Sequence, residues 1–233
     1  MKINATIDRW FEETFTRIAG KLDLTPDNPN QIDLLCVSAL KTCHDYSRAA
    51  LLLLANGHEY PTKALMRCQC ELIVKLTWIL RVADDESEQT AEDGVRERIE
   101  RWLKSTYSQG IKLAENFMGA VAVEERAQLE RDAKDLNTRK EKIPFNEMPN
   151  LVQLFEVLPE PFKSEMYPIL YARFNDAIHI DLKSMTSIYR GREGGSAGLE
   201  KYCAAYAFNI NSLVRLNYDL KIDEIKEEYH KIM

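Results

Sequence analysis

The nine residues from Tyr171 to His179 read Tyr-Ala-Arg-Phe-Asn-Asp-Ala-Ile-His, and they concentrate side chains able to do chemistry. Tyr171, Arg173, Asn175, Asp176 and His179 interrupt a helical pattern that should otherwise face a core. A buried polar group without a partner costs about 1–3 kcal/mol, so a cluster of this kind needs partners. It is either a structural hydrogen-bond network or a site. In the second case His179 is the proton carrier, because only histidine titrates near neutrality without perturbation. Tyr171, Asn175 and His179 follow one another at four-residue spacing and drift by about 40° per step along one helical face.

A second polar row, Arg67, Glu71 and Lys75, has the same spacing and lies among Leu65, Met66, Cys68, Leu72, Ile73 and Leu76. A third set, Lys41, His44, Asp45 and Arg48, interrupts an apolar helix. The expectation is that these three helices pack together and share one semi-buried network. Glu71 would then orient the His179 imidazole, and Arg67 or Arg173 would stabilise an anion. The structural alternative is an ion-pair cluster that fixes helix register. His44 either joins the site or caps a polar seam between helices. His58, at a turn, and His230, in a charged tail, are expected on the surface.

Metal and phosphate chemistry find little support. Metal ligation in a helical protein wants several carboxylates and histidines at helical spacing, and only Asp176 stands three residues before His179. Cys68 and Cys70 are separated by one residue, on different faces of a helix, and no Cys-x-x-Cys occurs. The glycine-rich stretch Arg190 to Gly198 follows no strand and precedes no Gly-Lys-Ser/Thr, so it reads as a linker. No metal and no cofactor are expected.

The elements that carry these residues read as helices throughout. An apolar stripe of Ile7, Trp10, Phe11, Phe15 and Ile18 marks a helix over 4–22. Asn28 as N-cap, Pro29 and Gln31 open a second helix that reaches Asn56, and Gly57 stops it. That helix is apolar almost all round and should be central. Pro61 opens a third, to about 83, and Ser87 or Thr90 caps a fourth that ends at Met118. A fifth, with balanced charges, spans 123–142 and forms a charged helical hairpin arm around 90–142. Prolines at 144, 149, 159, 161 and 168 break the chain into short turns, among them a helical stretch at 151–158. Helices over 199–218 and 221–231 complete it. The expected fold is all-α, a single helical domain over 1–233 built as one bundle of about seven to nine helices.

Composition bounds the function. The chain has 31 basic and 37 acidic side chains, a net charge of −6, which argues against a general nucleic-acid coat. No apolar run is long enough to cross a bilayer, and the charged N-terminal stretch does not resemble a signal peptide. Five cysteines, an odd number in helical patterns, read as free thiols of a cytoplasmic protein.

Two resemblances follow from the quoted residues. The helix Ala64-Leu65-Met66-Arg67-Cys68-Gln69-Cys70-Glu71, preceded by Leu52-Leu53-Leu54-Ala55-Asn56-Gly57, resembles a widespread group of uncharacterised bacterial helical proteins. Those carry Ala-x-x-Leu-x-Arg-x-x-x-Glu and, later, a Tyr-x-x-aromatic/Leu-Ser-x-x-x-His segment. Tyr171, Phe174, Asn175 and His179 match the latter, with asparagine for serine, and the likeness covers roughly 32–182. The group implies no activity.

The pair Arg173 and His179 also resembles the signature of the HEPN superfamily (higher eukaryotes and prokaryotes nucleotide-binding). That signature is Arg, four to six residues, then His, usually with a polar residue after the Arg. Here Phe174 takes that place and Asn175 follows. The resemblance implies an HEPN-like helical core and metal-independent cleavage of single-stranded RNA, in a toxin or phage-defence setting. His179 would be the acid or base, and Arg173 would hold the charge on phosphorus. It further implies a site completed across a homodimer, with RNA or an antitoxin-like protein as partner. In a straight helix Arg173 and His179 stand about 120° apart. Joint action therefore needs a distorted helix or a second subunit. The residues alone favour a non-catalytic interaction or ligand-binding module with a semi-buried Arg/Glu/Asn/His network, and the ribonuclease is the alternative.

Overall fold

The structure, a computed structural model, describes residues 2–25, 30–80, 88–157 and 198–233. Among the described residues there are eight helices and no strand, so the fold is all-α. The helices are α1 (Lys2–Ala19), α2 (Gln31–Ala55), α3 (Glu59–Leu80), α4 (Glu88–Met118), α5 (Val123–Glu141), α6 (Leu151–Val157), α7 (Leu199–Asn217) and α8 (Asp223–Ile232). Tyr171, Arg173, Asn175, Asp176, His179 and the glycine-rich stretch up to 197 lie outside the described residues.

The helices form two compact units, α1–α3 with α6–α8, and α4 with α5. In the first, α7 packs on α1, α2 and α3, while α2 packs on α1 and α3 and α6 lies against α3. The spacing of small residues explains why three helices can converge. On α2, Cys36, Ala39, Cys43, Ser47 and Ala50 recur every three or four positions and are buried. On α7, Cys203, Ala207 and Asn211 do the same, with Ala204 beside them. Short side chains on a single face let helix axes approach closely. Around this seam Trp10, Phe11, Leu40, Met66, Ile73, Leu76, Tyr206 and Ile210 are almost wholly withdrawn from water. Each large apolar side chain contributes about 1.5–3 kcal/mol on burial.

Helix ends follow local chemistry. The cap of α2 is Asn30 rather than Asn28. Its Oδ1 accepts from the amides of Ile32 at 2.9 Å and Asp33 at 3.3 Å, which satisfies two donors of the first turn. At the other end Gly57 has φ +77°, the His58 amide donates to Leu53 O at 2.8 Å and the Gly57 amide to Leu54 O at 3.0 Å. That pair of bonds is a Schellman stop. The same motif ends α7, with Leu220 donating to Arg215 O and Asp219 to Leu216 O, but here an aspartate holds φ +54°. Helix α2 is central, yet not buried on all sides: Leu34 and Leu52 are exposed.

In the second unit α5 packs along α4, and the approach is close at Gly110. A Cβ there would stand 2.8 Å from Leu136 Cδ1. After α5 the chain returns along α4. Lys104 Nζ donates to the carbonyls of Ile143 at 2.9 Å and Phe145 at 2.6 Å, and the Met148 amide donates to Ser105 Oγ at 2.8 Å.

Candidate functional site

Helix α3 places Arg67, Glu71 and Lys75 in one row, as their four-residue spacing requires. Arg67 Nε donates to Glu71 Oε1 at 3.3 Å, and Lys75 Nζ stands 3.9 Å from Glu71 Oε2. The two oxygens of one carboxylate are thus divided between two cations. Arg67 is 9% exposed, while the Glu71 and Lys75 side chains keep 30% and 26% of their surface. The row therefore grades from a buried guanidinium to half-buried charges. Nearly buried cations and carboxylates exert larger fields than surface ones, so the row is suited to holding an anionic or polar group.

One residue on from Arg67 the two cysteines diverge, Cys68 exposed and Cys70 buried. Between them Gln69, fully buried, crosses to α2. Its Nε2 donates to Ser47 Oγ at 2.7 Å and to Cys43 O at 3.1 Å, while its Oε1 has no partner. Sequence reading missed this cross-link. The available signal was a glutamine inside an apolar helix, facing a serine in an apolar partner.

The third polar set behaves differently from expectation. Lys41, Asp45 and Arg48 are exposed, because they occupy the side of α2 away from the Cys43–Ser47–Ala50 seam. His44 turns towards α1. Its Nε2 lies 2.7 Å from Asp8 Oδ1, and its ring stacks on Phe11 with centroids 4.7 Å apart. Arg48 Nε stands 3.9 Å from the same Asp8 oxygen. His44 is thus part of the α1–α2 seam. His58 and His230 are exposed.

A second polar cluster, unread in the sequence, lies between α1 and α7. Arg215 is wholly buried and donates from Nε to Thr14 Oγ1 at 2.8 Å and from Nη1 to Lys221 O at 3.4 Å, with Glu13 Oε2 3.5 Å from Nη2. Burial and, next, the neighbouring Arg17 lower its pKa. Three residues on, where α7 ends, the Tyr218 hydroxyl donates to Asp33 Oδ1, and Asp33 Oδ2 accepts from the Asp23 amide at 2.6 Å. Burial and then this hydrogen bond raise the Tyr218 pKa. In the second unit Ser108 donates to Glu147, whose carboxyl is held below its ordinary value chiefly by that bond.

The buried thiols are electrostatically quiet. Burial pushes Cys36, Cys43, Cys70 and Cys203 each up to about 12. At neutral pH they are thiols, neither nucleophiles nor soft metal ligands. Among the described residues no group of three or more histidine, cysteine or acidic side chains is placed to hold a metal ion. No described helix is long and apolar enough to cross a membrane.

No curated protein and no solved structure matches the chain. Residues 33–197, well over half of the chain, match a family of unknown function (DUF5677), and the chain belongs to that family.

Proposed function

We propose that the chain is a helical, non-catalytic interaction or ligand-binding module, and that Arg67, Glu71 and Lys75 form the charged wall of its site. The observation that carries this reading is the burial of Arg67 against Glu71 on a helix packed into the core. A surface pair of this kind is worth only a few tenths of a kcal/mol. A charged row at the edge of an apolar core offers fixed charges, already held in place within the protein, against which a polar or anionic group can dock. Tyr171, Asn175 and His179 supply the remaining polar groups in this reading, and Arg173 a second cation. Free thiols at Cys36, Cys43, Cys70 and Cys203 support a cytoplasmic setting, and a homodimer is the assembly proposed.

The second reading is an HEPN-like, metal-independent ribonuclease in which Arg173 and His179 act on single-stranded RNA, with RNA or an antitoxin-like protein as partner. It is favoured by the five-residue interval between Arg173 and His179. Incubating a mixed single-stranded RNA with the wild type and with His179→Ala, in EDTA, separates the two. Intact RNA with both proteins keeps the module. Cleavage by the wild type alone, leaving cyclic phosphate ends, replaces it with the nuclease. Arg67→Met should abolish any rise in melting temperature that inorganic phosphate or an oligonucleotide produces in the wild type. An undiminished rise would remove Arg67 from the site.

A further inference from the structure

The last helix is held in an unusual way for an element of this bundle. Of the ten residues of α8 only Ile225 is buried. The rest of its attachment combines carboxylate contacts with one aromatic stack, and just beyond it the Met233 carbonyl accepts from Lys201 Nζ of α7 at 2.6 Å. Glu228 accepts from the Arg9 guanidinium and, at 2.6 Å, from the Trp10 indole Nε1, while Glu224 pairs with Arg17. Arg9 and Arg17 stand eight residues apart on α1 and Glu224 and Glu228 four apart on α8, so the two helices meet through carboxylates on one and cations on the other. The Tyr229 ring stacks on Phe208 of α7 at 4.3 Å, and Phe208 in turn meets Trp10 edge-on at 6.3 Å.

The connector before α8 is fixed by different means. Lys21 Nζ donates to Tyr218 O at 2.6 Å, the Tyr218 hydroxyl bonds Asp33, and buried Arg215 donates to Lys221 O. The part-buried hydrogen bonds to Arg215 and Asp33 therefore end at Lys221, and from there on the chain is held by partly exposed ion pairs and one aromatic stack.

We propose that α8 is an ionically latched strap, which undocks from α1 and α7 as a unit while the rest of its bundle stays folded. Release uncovers the Trp10 indole N–H and the face of Phe208. Elements with few buried apolar contacts open at lower free energy than the core they rest on. A ten-residue helix is not stable alone in water, so an undocked α8 melts and its amides exchange. Salt weakens partly exposed ion pairs far more than it weakens the apolar packing of α2, α3 and α7.

Hydrogen exchange of the full chain, read by mass spectrometry, tests this. Between low salt and about 0.5 M sodium chloride, amides of 223–232 should exchange about tenfold faster while those of α2 and α3 barely change. The double variant Glu224→Gln/Glu228→Gln should reach the fast rate already at low salt and lose its salt response, with an unchanged urea midpoint. Exchange of 223–232 at the rate of α2 and α3 would overturn the proposal. So would an absence of salt response in the wild type, or acceleration of α2 and α3 by the same factor in the double variant.

Discussion

Arg215 and Thr14 lie 201 positions apart in the chain and meet at 2.8 Å, guanidinium Nε to hydroxyl Oγ1, in a place no water reaches. The bond pins α7 to α1, and Glu13 supplies the counter-charge from the partly exposed side. Removing the arginine loses the packing of its stem as well as its bonds. Arg215→Ala should therefore cost about 3 kcal/mol in urea denaturation. Arg215→Met, which keeps the stem, should cost about half as much. Thr14→Val leaves Nε unsatisfied and should cost about 1–2 kcal/mol. In a double-mutant cycle the two sites should couple by at least about 0.5 kcal/mol. Additive losses would mean the bond contributes nothing of its own.

Gln69 offers a sharper test of the α2–α3 seam, because its amide is half satisfied. The donors reach Ser47 and Cys43, and the carbonyl oxygen has no partner. Gln69→Met removes the bonds without burying a charge and should cost about 1–2 kcal/mol. Gln69→Glu places a carboxyl in the same enclosure, where burial raises its pKa. Such a group stabilises the fold while protonated, below the ordinary glutamate value near 4.3, and loses that contribution as pH rises through its folded pKa. The Glu variant should thus unfold more easily at pH 8 than at pH 5, while the wild type and Met variant show no matching change. A flat pH response would place position 69 in contact with water.

These two contacts also mark how far the sequence could be read. Helix positions were legible because their punctuation is local: Gly57 and Pro61 bracket a turn whose bonds close within five residues. The Arg67–Glu71 pair was legible for the same reason, since i and i+4 on a helix are always neighbours. Asn28 and Asn30 flank Pro29 and are chemically equal as caps, so propensity alone could not choose between them. Lys41, Asp45 and Arg48 were expected in a shared network and are exposed, because which side of α2 faces α3 is settled by the Cys43–Ser47–Ala50 seam. Arg215 and Thr14 had no local signal at all. Their meeting depends on the docking of α7, a property of the whole bundle. For Tyr171, Arg173, Asn175 and His179, outside the described residues, the argument remains one of type and spacing.

Asp219 carries a local strain that is open to repair. It occupies the left-handed position of the Schellman stop after α7, at φ +54°, where a side chain costs about 1–2 kcal/mol relative to glycine in the least favourable cases. Aspartate tolerates this conformation better than most residues, so part of that cost is already avoided. Asp219→Gly should stabilise the protein by about 0.5 kcal/mol, and Asp219→Val should destabilise it by about 1–2 kcal/mol, both by urea midpoint. If glycine destabilises, the Asp219 side chain makes a contact that outweighs the strain.

The buried thiols make the fold sensitive to alkali in a defined window. Cys36, Cys43, Cys70 and Cys203 are pushed up to about 12 by burial, whereas in the unfolded chain a thiol ionises near 8.5–9. A group whose folded pKa is raised stabilises fully below its unfolded pKa and loses that contribution as pH climbs towards the folded value. Stability should therefore hold through neutrality and fall from about pH 9 upwards. Tyr206, whose pKa burial lifts well above the ordinary tyrosine value, steepens the fall once pH passes about 10. Replacing Cys43 by Ala removes one ionising group and should flatten the alkaline limb, though the lost sulfur lowers stability at pH 7 by about 1 kcal/mol. The same burial predicts the labelling pattern. A thiol reagent at neutral pH should modify exposed Cys68 in the native protein and all five cysteines only in denaturant. Rapid native labelling of a second cysteine would show that the α2–α3–α7 seam opens to solvent, and the alkaline fall would then start from that opening and not from global unfolding.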